Sequence, residues 1–217
     1  MEITWSGHSC FTLRGKETAL VIDPCGAPVG CGTRWGNPQA VLVTHEHTGH
    51  ANLDGMKAVD CNPRIFKGPG EYEIGGAFIT AVPAFHDSES GAERGRNTVY
   101  SIEMEGLRVC HVGDLGHPLS SQVARELGPV DVLCIPVGEV TTLSVAEAKA
   151  VSKALQPRYI LPMHYRSEAR PDLQPIDGFL AAMGVQQVET RPKLNVTSTN
   201  LPLNPQVLAL SCEPRIG

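Results

Sequence analysis

At 217 residues the chain is long enough for one sizeable core, and 41% hydrophobic with 19% charged residues excludes a disordered or fibrous protein. A net charge of −5 without any Lys/Arg run leaves no electrostatic footprint for nucleic acid or an anionic membrane. No apolar run nears the ~18 residues that span a bilayer, and MEITWSGH has no basic-then-apolar leader, so a cytoplasmic location is expected.

In chain order, short apolar or alternating runs predict strands at Glu2–Trp5, Cys10–Leu13, Ala19–Ile22, Ala40–Val43, Arg64–Phe66 and Ala77–Val82. A helix is expected over Asn52–Val59. After the polar stretch Asp87–Arg96, strands are expected at Thr98–Glu103, Leu107–Val112, Val132–Val137, Tyr159–Pro162, Gln186–Glu189 and Gln206–Leu210. Leu119, Val123 and Leu127, closed by Gly128, suit a helix. Ser144-x-x-Glu147 is a capping box that opens another, stopped by Pro157. Phe179–Met183 before Gly184 suits a third. The 22 glycines and 17 prolines exceed the usual combined share of roughly 12%, as many tight turns between short strands require.

The order of elements repeats. Cys10-Phe-Thr-Leu, a Gly turn and Ala19-Leu-Val-Ile-Asp23 match Val99-Tyr-Ser-Ile, a Gly turn and Leu107 through Gly113-Asp114. Pro38 to Thr44 parallels Pro129 to Ile135, and Pro63-Arg-Ile-Phe parallels Pro157-Arg-Tyr-Ile. Two similar β-rich halves, about 1–95 and 96–217, are therefore expected within a single domain of residues 1–217, as stacked sheets with helices outside. The seven cysteines (10, 25, 31, 61, 110, 134 and 212) are odd in number and lack a CxxC pair; most are expected as free thiols in the core.

Chemistry is concentrated in the eight histidines. His45 and His47 follow one apolar strand, His86 another and His164 a third, while Asp114 stands just beyond Leu107–Val112. Four strand ends thus each deliver a metal-type side chain, and strand-end loops on a rigid frame are where ligands gather. His50 follows His47 by three. Neutral imidazoles with a carboxylate suit Zn²⁺, and the absence of cysteine from these turns favours an open catalytic site over a closed structural one.

At these residues the chain resembles the metallo-β-lactamase superfamily over essentially its whole length. The family signature His-x-His-x-Asp-His, then a His, a Gly-Asp turn and a late His, appears here as His45, His47, His50, His86, Asp114 and His164. Gly7-His-Ser-Cys-Phe11, Gly68-Pro-Gly-Glu-Tyr-Glu-Ile74, His111-Val-Gly-Asp-Leu115 and Pro162-Met-His-Tyr165 resemble its bacterial Zn-dependent hydrolase and lactonase-like branch. The resemblance implies an αββα four-layer sandwich of two similar halves. It implies one metal held by His45, His47 and His86, a second by His50 and His164, and Asp114 able to bridge. Gly49 departs from the family, which usually has there an Asp that ligates the second metal.

The expected function is a hydrolase using metal-bound hydroxide on an ester, lactone, amide or phosphodiester, with Zn as one or two ions and Mn, Fe or Ni as alternatives. Asp114 would orient the nucleophile, and His164 or His8 would steady the oxyanion. The competing expectation, motivated by Gly49, is a metal-binding sensor or scaffold with little or no catalysis. A di-iron oxygen-chemistry protein is the third. The expected partner is a small-molecule substrate, with no dedicated nucleic-acid or membrane binding and homo-oligomerisation left open. His111 is read as structural and His117 as a rim residue. Glu46 and Asp87 are expected to point away from the cluster or act as acceptors for its histidines. Glu71 and Glu73 are read as structural, and Arg94 and Arg96 either as a grip for an anionic substrate or as solvated.

Overall fold

The computed structural model describes residues 1–26, 29, 35–54 and 62–212. The strands are β1 (Glu2–Trp5), β2 (Phe11–Arg14), β3 (Ala19–Ile22), β4 (Ala40–Val43), β5 (Arg64–Lys67), β6 (Gly70–Ile74) and β7 (Ala77–Phe85). They continue as β8 (Arg96–Met104), β9 (Leu107–His111), β10 (Val132–Pro136), β11 (Tyr159–Met163), β12 (Glu189–Arg191), β13 (Leu194–Asn195) and β14 (Gln206–Leu210). Among the described residues one sheet runs β13-β1-β2-β3-β4-β5 and the other β12-β14-β11-β10-β9-β8-β7-β6.

Why the apolar runs are continuous follows from the layering. Strand side chains alternate faces, so in β3 Leu20 and Ile22 enter the space between the sheets while Val21 packs outward. In β10 Val132 and Cys134 face the same inner layer while Leu133 and Ile135 face the helices. Both faces are buried, so both must be apolar. Each fully buried aliphatic contributes on the order of 1.5–3 kcal/mol. Tyr100 of β8 crosses the inner layer, and its hydroxyl donates to the carbonyls of Val43 (2.9 Å) and Phe66 (3.3 Å) in the opposite sheet.

Helices α1 (Ser121–Leu127), α2 (Val145–Leu155) and α3 (Asp177–Met183) cover the second sheet through Leu127, Ala148, Val151, Leu155 and Phe179. The expected capping box is present: Ser144 accepts from the Glu147 amide, and the Glu147 carboxylate accepts from the Ser144 amide at 2.8 Å. Gln156 ends α2 in the left-handed conformation just before Pro157. On the first sheet's outer face Cys10, Val21, Cys25, Trp35, Val41 and Val43 form a separate apolar layer. Of the helix expected over Asn52–Val59, Leu53 and Asp54 are helical and residues 55–59 lie outside the described residues. The two stacked sheets, with helices over the second, agree with the expected αββα sandwich.

The strand sets expected to match are paired in the same sense. β2–β3 and β8–β9 are antiparallel pairs, and each continues into two parallel strands, β4 and β5 or β10 and β11. The second sheet nonetheless begins at Gly70, well before residue 95, and β13 returns to the first sheet from the far end of the chain. Cys10, Cys25, Cys110 and Cys134 are buried free thiols as expected, whereas Cys212 is disulfide-bonded. No helix among the described residues is long and apolar enough to cross a membrane.

Candidate metal centre

Strand polarity decides where the chemistry gathers. In the first sheet β1, β3 and β4 run the same way, because β2 is antiparallel to both β1 and β3 and β4 is parallel to β3. In the second sheet β7, β9 and β11 likewise share a direction. Just past the C-terminal ends of these six strands stand His8, Asp23, His45, His86, Asp114 and His164. One edge of the sandwich therefore collects them all.

Asp114 is the centre of the cluster. Its Oδ2 lies 3.1 Å from His164 Nε2, 3.2 Å from His50 Nε2, 3.3 Å from His86 Nε2 and 3.8 Å from His45 Nε2. Its Oδ1 accepts from the Ser9 hydroxyl at 3.3 Å, and its amide donates to Asn97 Oδ1 at 3.1 Å. Gly113 makes this possible: its φ of +59° suits glycine, and a Cβ there would collide with Asn97 and Thr44. His50 sits between two carboxylates, with Nδ1 2.8 Å from Asp23 Oδ2. Asp23 is itself fixed by the Thr44 amide (2.8 Å) and hydroxyl (2.7 Å). His45 and His86 are buried beside His47, which is exposed.

Electrostatics divide the histidines. Burial pushes His45 down to about 3, helped by the charge of His50, and pushes His8 down to about 2, helped by His164 and His50. Burial also opposes charge on His50, but Asp114 and Asp23 outweigh it and hold the imidazole up at about 10. Burial raises and the His164 and His50 imidazoles more than offset that on Asp114, whose carboxyl is held well below the usual range.

The donor set fits a divalent ion. Ligand atoms of His45, His47 and His86 lie within 4.8 Å of one another, as do those of His8, His50 and His164 and those of Asp23, His45 and His50. His8 Nδ1, His45 Nε2, His86 Nδ1 and His164 Nδ1 are buried without a hydrogen-bond partner. A buried polar atom left unpaired costs about 1–3 kcal/mol. Imidazole nitrogens grouped around a carboxylate are the ligands that zinc and similar ions take.

Every residue expected as a ligand, together with His8, reaches this edge. The other candidates do not enter it. His111 is fully buried, its Nε2 2.9 Å from the Ser9 carbonyl and its Nδ1 accepting from the Gly113 amide, so it braces both loops beneath Asp114. His117 accepts from the Phe85 amide and contacts the Pro118 carbonyl. Glu46 is exposed and paired with Lys67. Asp87 accepts from the amides of Glu89, Gly91, Glu93 and Arg94, which closes the loop after His86 and leaves His86 Nδ1 unserved. Glu71 and Glu73 are exposed on β6. Arg94 is exposed and pairs with Glu93, and Arg96 is exposed at the start of β8.

Sequence reasoning missed Asp23, Ser9, Asn97 and Arg170. Arg170 pairs with Asp172 (2.7 Å) and brings Nη1 to 3.4 Å from His8 Nε2. Only Asp23 carried a signal: the internal match set it opposite Asp114.

Residues 2–164 match the family described as Beta-lactamase superfamily domain. A UPF0173 metal-dependent hydrolase of Pyrococcus abyssi is 32% identical over 201 residues, covering 77% of this chain and 85% of the relative. Among solved structures, a Thermotoga maritima protein described as a candidate Zn-dependent hydrolase of the metallo-β-lactamase superfamily is 33% identical. It covers 96% of this chain and 97% of its own, at a TM-score of 0.78. Igni18, a metallo hydrolase from Ignicoccus hospitalis, shares the fold at 21% identity and a TM-score of 0.67, over 90% of this chain and 99% of its own.

Proposed function

This chain belongs to the β-lactamase superfamily and is a metal-dependent hydrolase of the metallo-β-lactamase fold; from that premise we propose how its residues carry the reaction. His45, His47 and His86 would hold one divalent ion, and His50, His164 and Asp114 would offer a second place. Zinc suits this set, with Mn, Fe and Ni as alternatives. When bound, such an ion supplies Lewis acidity and lowers the pKa of water toward 7.

The protein's own part is positioning and proton handling. Asp114, held by Ser9 and Asn97, presents an oxygen that can orient a water molecule and accept its proton. His164, or His8 beside it with ring centroids 4.1 Å apart, would steady negative charge on the substrate oxygen. The substrate would be a small ester, lactone, amide or phosphodiester. A cleft of about 300 Å³ opens beside His86 and is lined by Ser88, Arg94, Glu139 and Thr142, a size that admits a small molecule. One domain spanning 1–217 would do this in the cytoplasm, without nucleic-acid or membrane partners.

The observation that carries the proposal is one carboxylate oxygen within 3.1–3.8 Å of four imidazole nitrogens. Metal analysis combined with a panel of esters, lactones, amides and phosphodiesters tests it. Turnover lost in both His45→Ala and Asp114→Ala supports it. Purified protein that takes up no metal, or metal uptake indifferent to His47→Ala, sinks it.

A further inference from the structure

Resting on that metal-centre reading, we propose that His8 is itself a metal ligand, completing with His50 and His164 a three-histidine site for a second divalent ion, with Asp114 shared between the two sites. The ligand atoms of these three residues lie within 4.8 Å of one another, compact enough for one ion to reach all of them. Asp114 Oδ2 faces His50 and His164 at 3.2 and 3.1 Å on this side, and His86 and His45 on the other.

The chain holds His8 there at some cost. Its φ of +53° lies in the left-handed region, which non-glycine residues seldom adopt and which concentrates at functional sites. The strained carbonyl is fixed twice, accepting from Trp5 Nε1 at 2.9 Å and from the His164 amide at 3.0 Å. The second of these ties the backbone of His8 directly to that of His164. His8 is only 6% exposed, and its Nδ1 has no hydrogen-bond partner. Arg170 Nη1 stands 3.4 Å from Nε2, and a guanidinium can only donate.

Gly49 supplies an independent observation. Its φ lies outside the left-handed region, so the backbone does not call for glycine. A Cβ at this position would come 3.0 Å from His8 Nε2 and 3.1 Å from Cδ2. The absent side chain makes room for the His8 ring, and a carboxylate at position 49 and an imidazole at position 8 compete for one space beside His50.

The test is metal binding, read without any substrate. Wild type, His8→Ala, His8→Asn and His47→Ala are titrated with Zn²⁺ and with Co²⁺, following stoichiometry by mass spectrometry and ligand-field absorption. Asparagine tolerates positive φ, so His8→Asn keeps the loop conformation should the alanine variant fail to fold. Wild type is expected to bind two ions per chain. Both His8 variants are expected to keep the first and bind the second more than about 100-fold more weakly, beyond the 10–100-fold typical of losing an outer partner. Gly49→Asp combined with His8→Ala is expected to regain the second ion, its carboxylate entering the vacated space. Unchanged two-ion binding in both His8 variants would overturn the assignment. So would a wild type that binds one ion, released by His47→Ala and kept by the His8 variants, though the metal-centre reading would then survive. Wild type that binds no ion removes both.

Discussion

Asp23 and Asp114 both follow the second strand of an antiparallel pair that continues into parallel strands, and both are buried. Asp23 is closed off: the Thr44 amide and hydroxyl and the His50 ring take up its two oxygens. Asp114 is left open, with one oxygen bound by Ser9 and the other turned to four imidazoles. The difference comes from the next strand. After β3 the exit of β4 brings Thr44 back onto Asp23, whereas after β9 the Gly113 turn throws Asp114 across to the first sheet's histidines. A carboxylate held by backbone and hydroxyl donors is structure, and one whose free oxygen meets only imidazoles is a place for a cation. His50 links the two, since it touches both.

Substitutions can break this contrast. Asp114→Ala is expected to abolish uptake of at least one ion and lower kcat/KM by about 10³ or more, on the scale of removing a principal charge stabiliser, while circular dichroism stays native. Asp23→Ala is expected to act first on stability. It strands the Thr44 amide and the raised-pKa His50 in the interior, a loss of about 3–5 kcal/mol for a broken buried charged pair, measured by denaturant unfolding. Wild-type stability in Asp23→Ala would erase the distinction.

Removing metal sharpens the contrast further. A chelator is expected to cost wild type about 2.7 kcal/mol relative to protein held at a hundredfold excess over Kd, lowering Tm by several degrees. Asp114→Ala is expected to show a much smaller chelator effect, and an equal shift in both proteins would contradict its central place. Tyr100→Phe should give the smallest effect: about 1 kcal/mol, as the Val43 carbonyl loses its donor. Metal stoichiometry should not change, because this bond holds the sheets together rather than the ligands.

Some elements were misjudged for local reasons. The strand expected over Ala77–Val82 runs on to Phe85 because β6 pairs only with Ala77–Ala81, leaving Pro83 on an open edge where its missing amide costs no ladder bond. The strand expected at Gln186–Glu189 forms instead at Glu189–Arg191, where β14 offers a parallel partner. β13, two residues long, is too short to leave a periodicity.

What the sequence determined by itself is the part that composition and order encode. Continuous apolar runs specify strands buried on both faces, Ser144 and Glu147 specify where α2 begins, and histidines placed at strand ends specify a metal-type edge. What only the tertiary structure decided is which side chains meet across long separations. Asp23 precedes a proline and reads as a turn, yet it grips His50. Arg170 reaches His8 from 162 residues away. Gly49 reads as a lost side chain, and only packing shows the His8 ring 3.0 Å from where its Cβ would be. Local pattern follows from backbone geometry, which repeats every two or 3.6 residues. Contacts between loops depend on how two sheets stack, and no local period carries that.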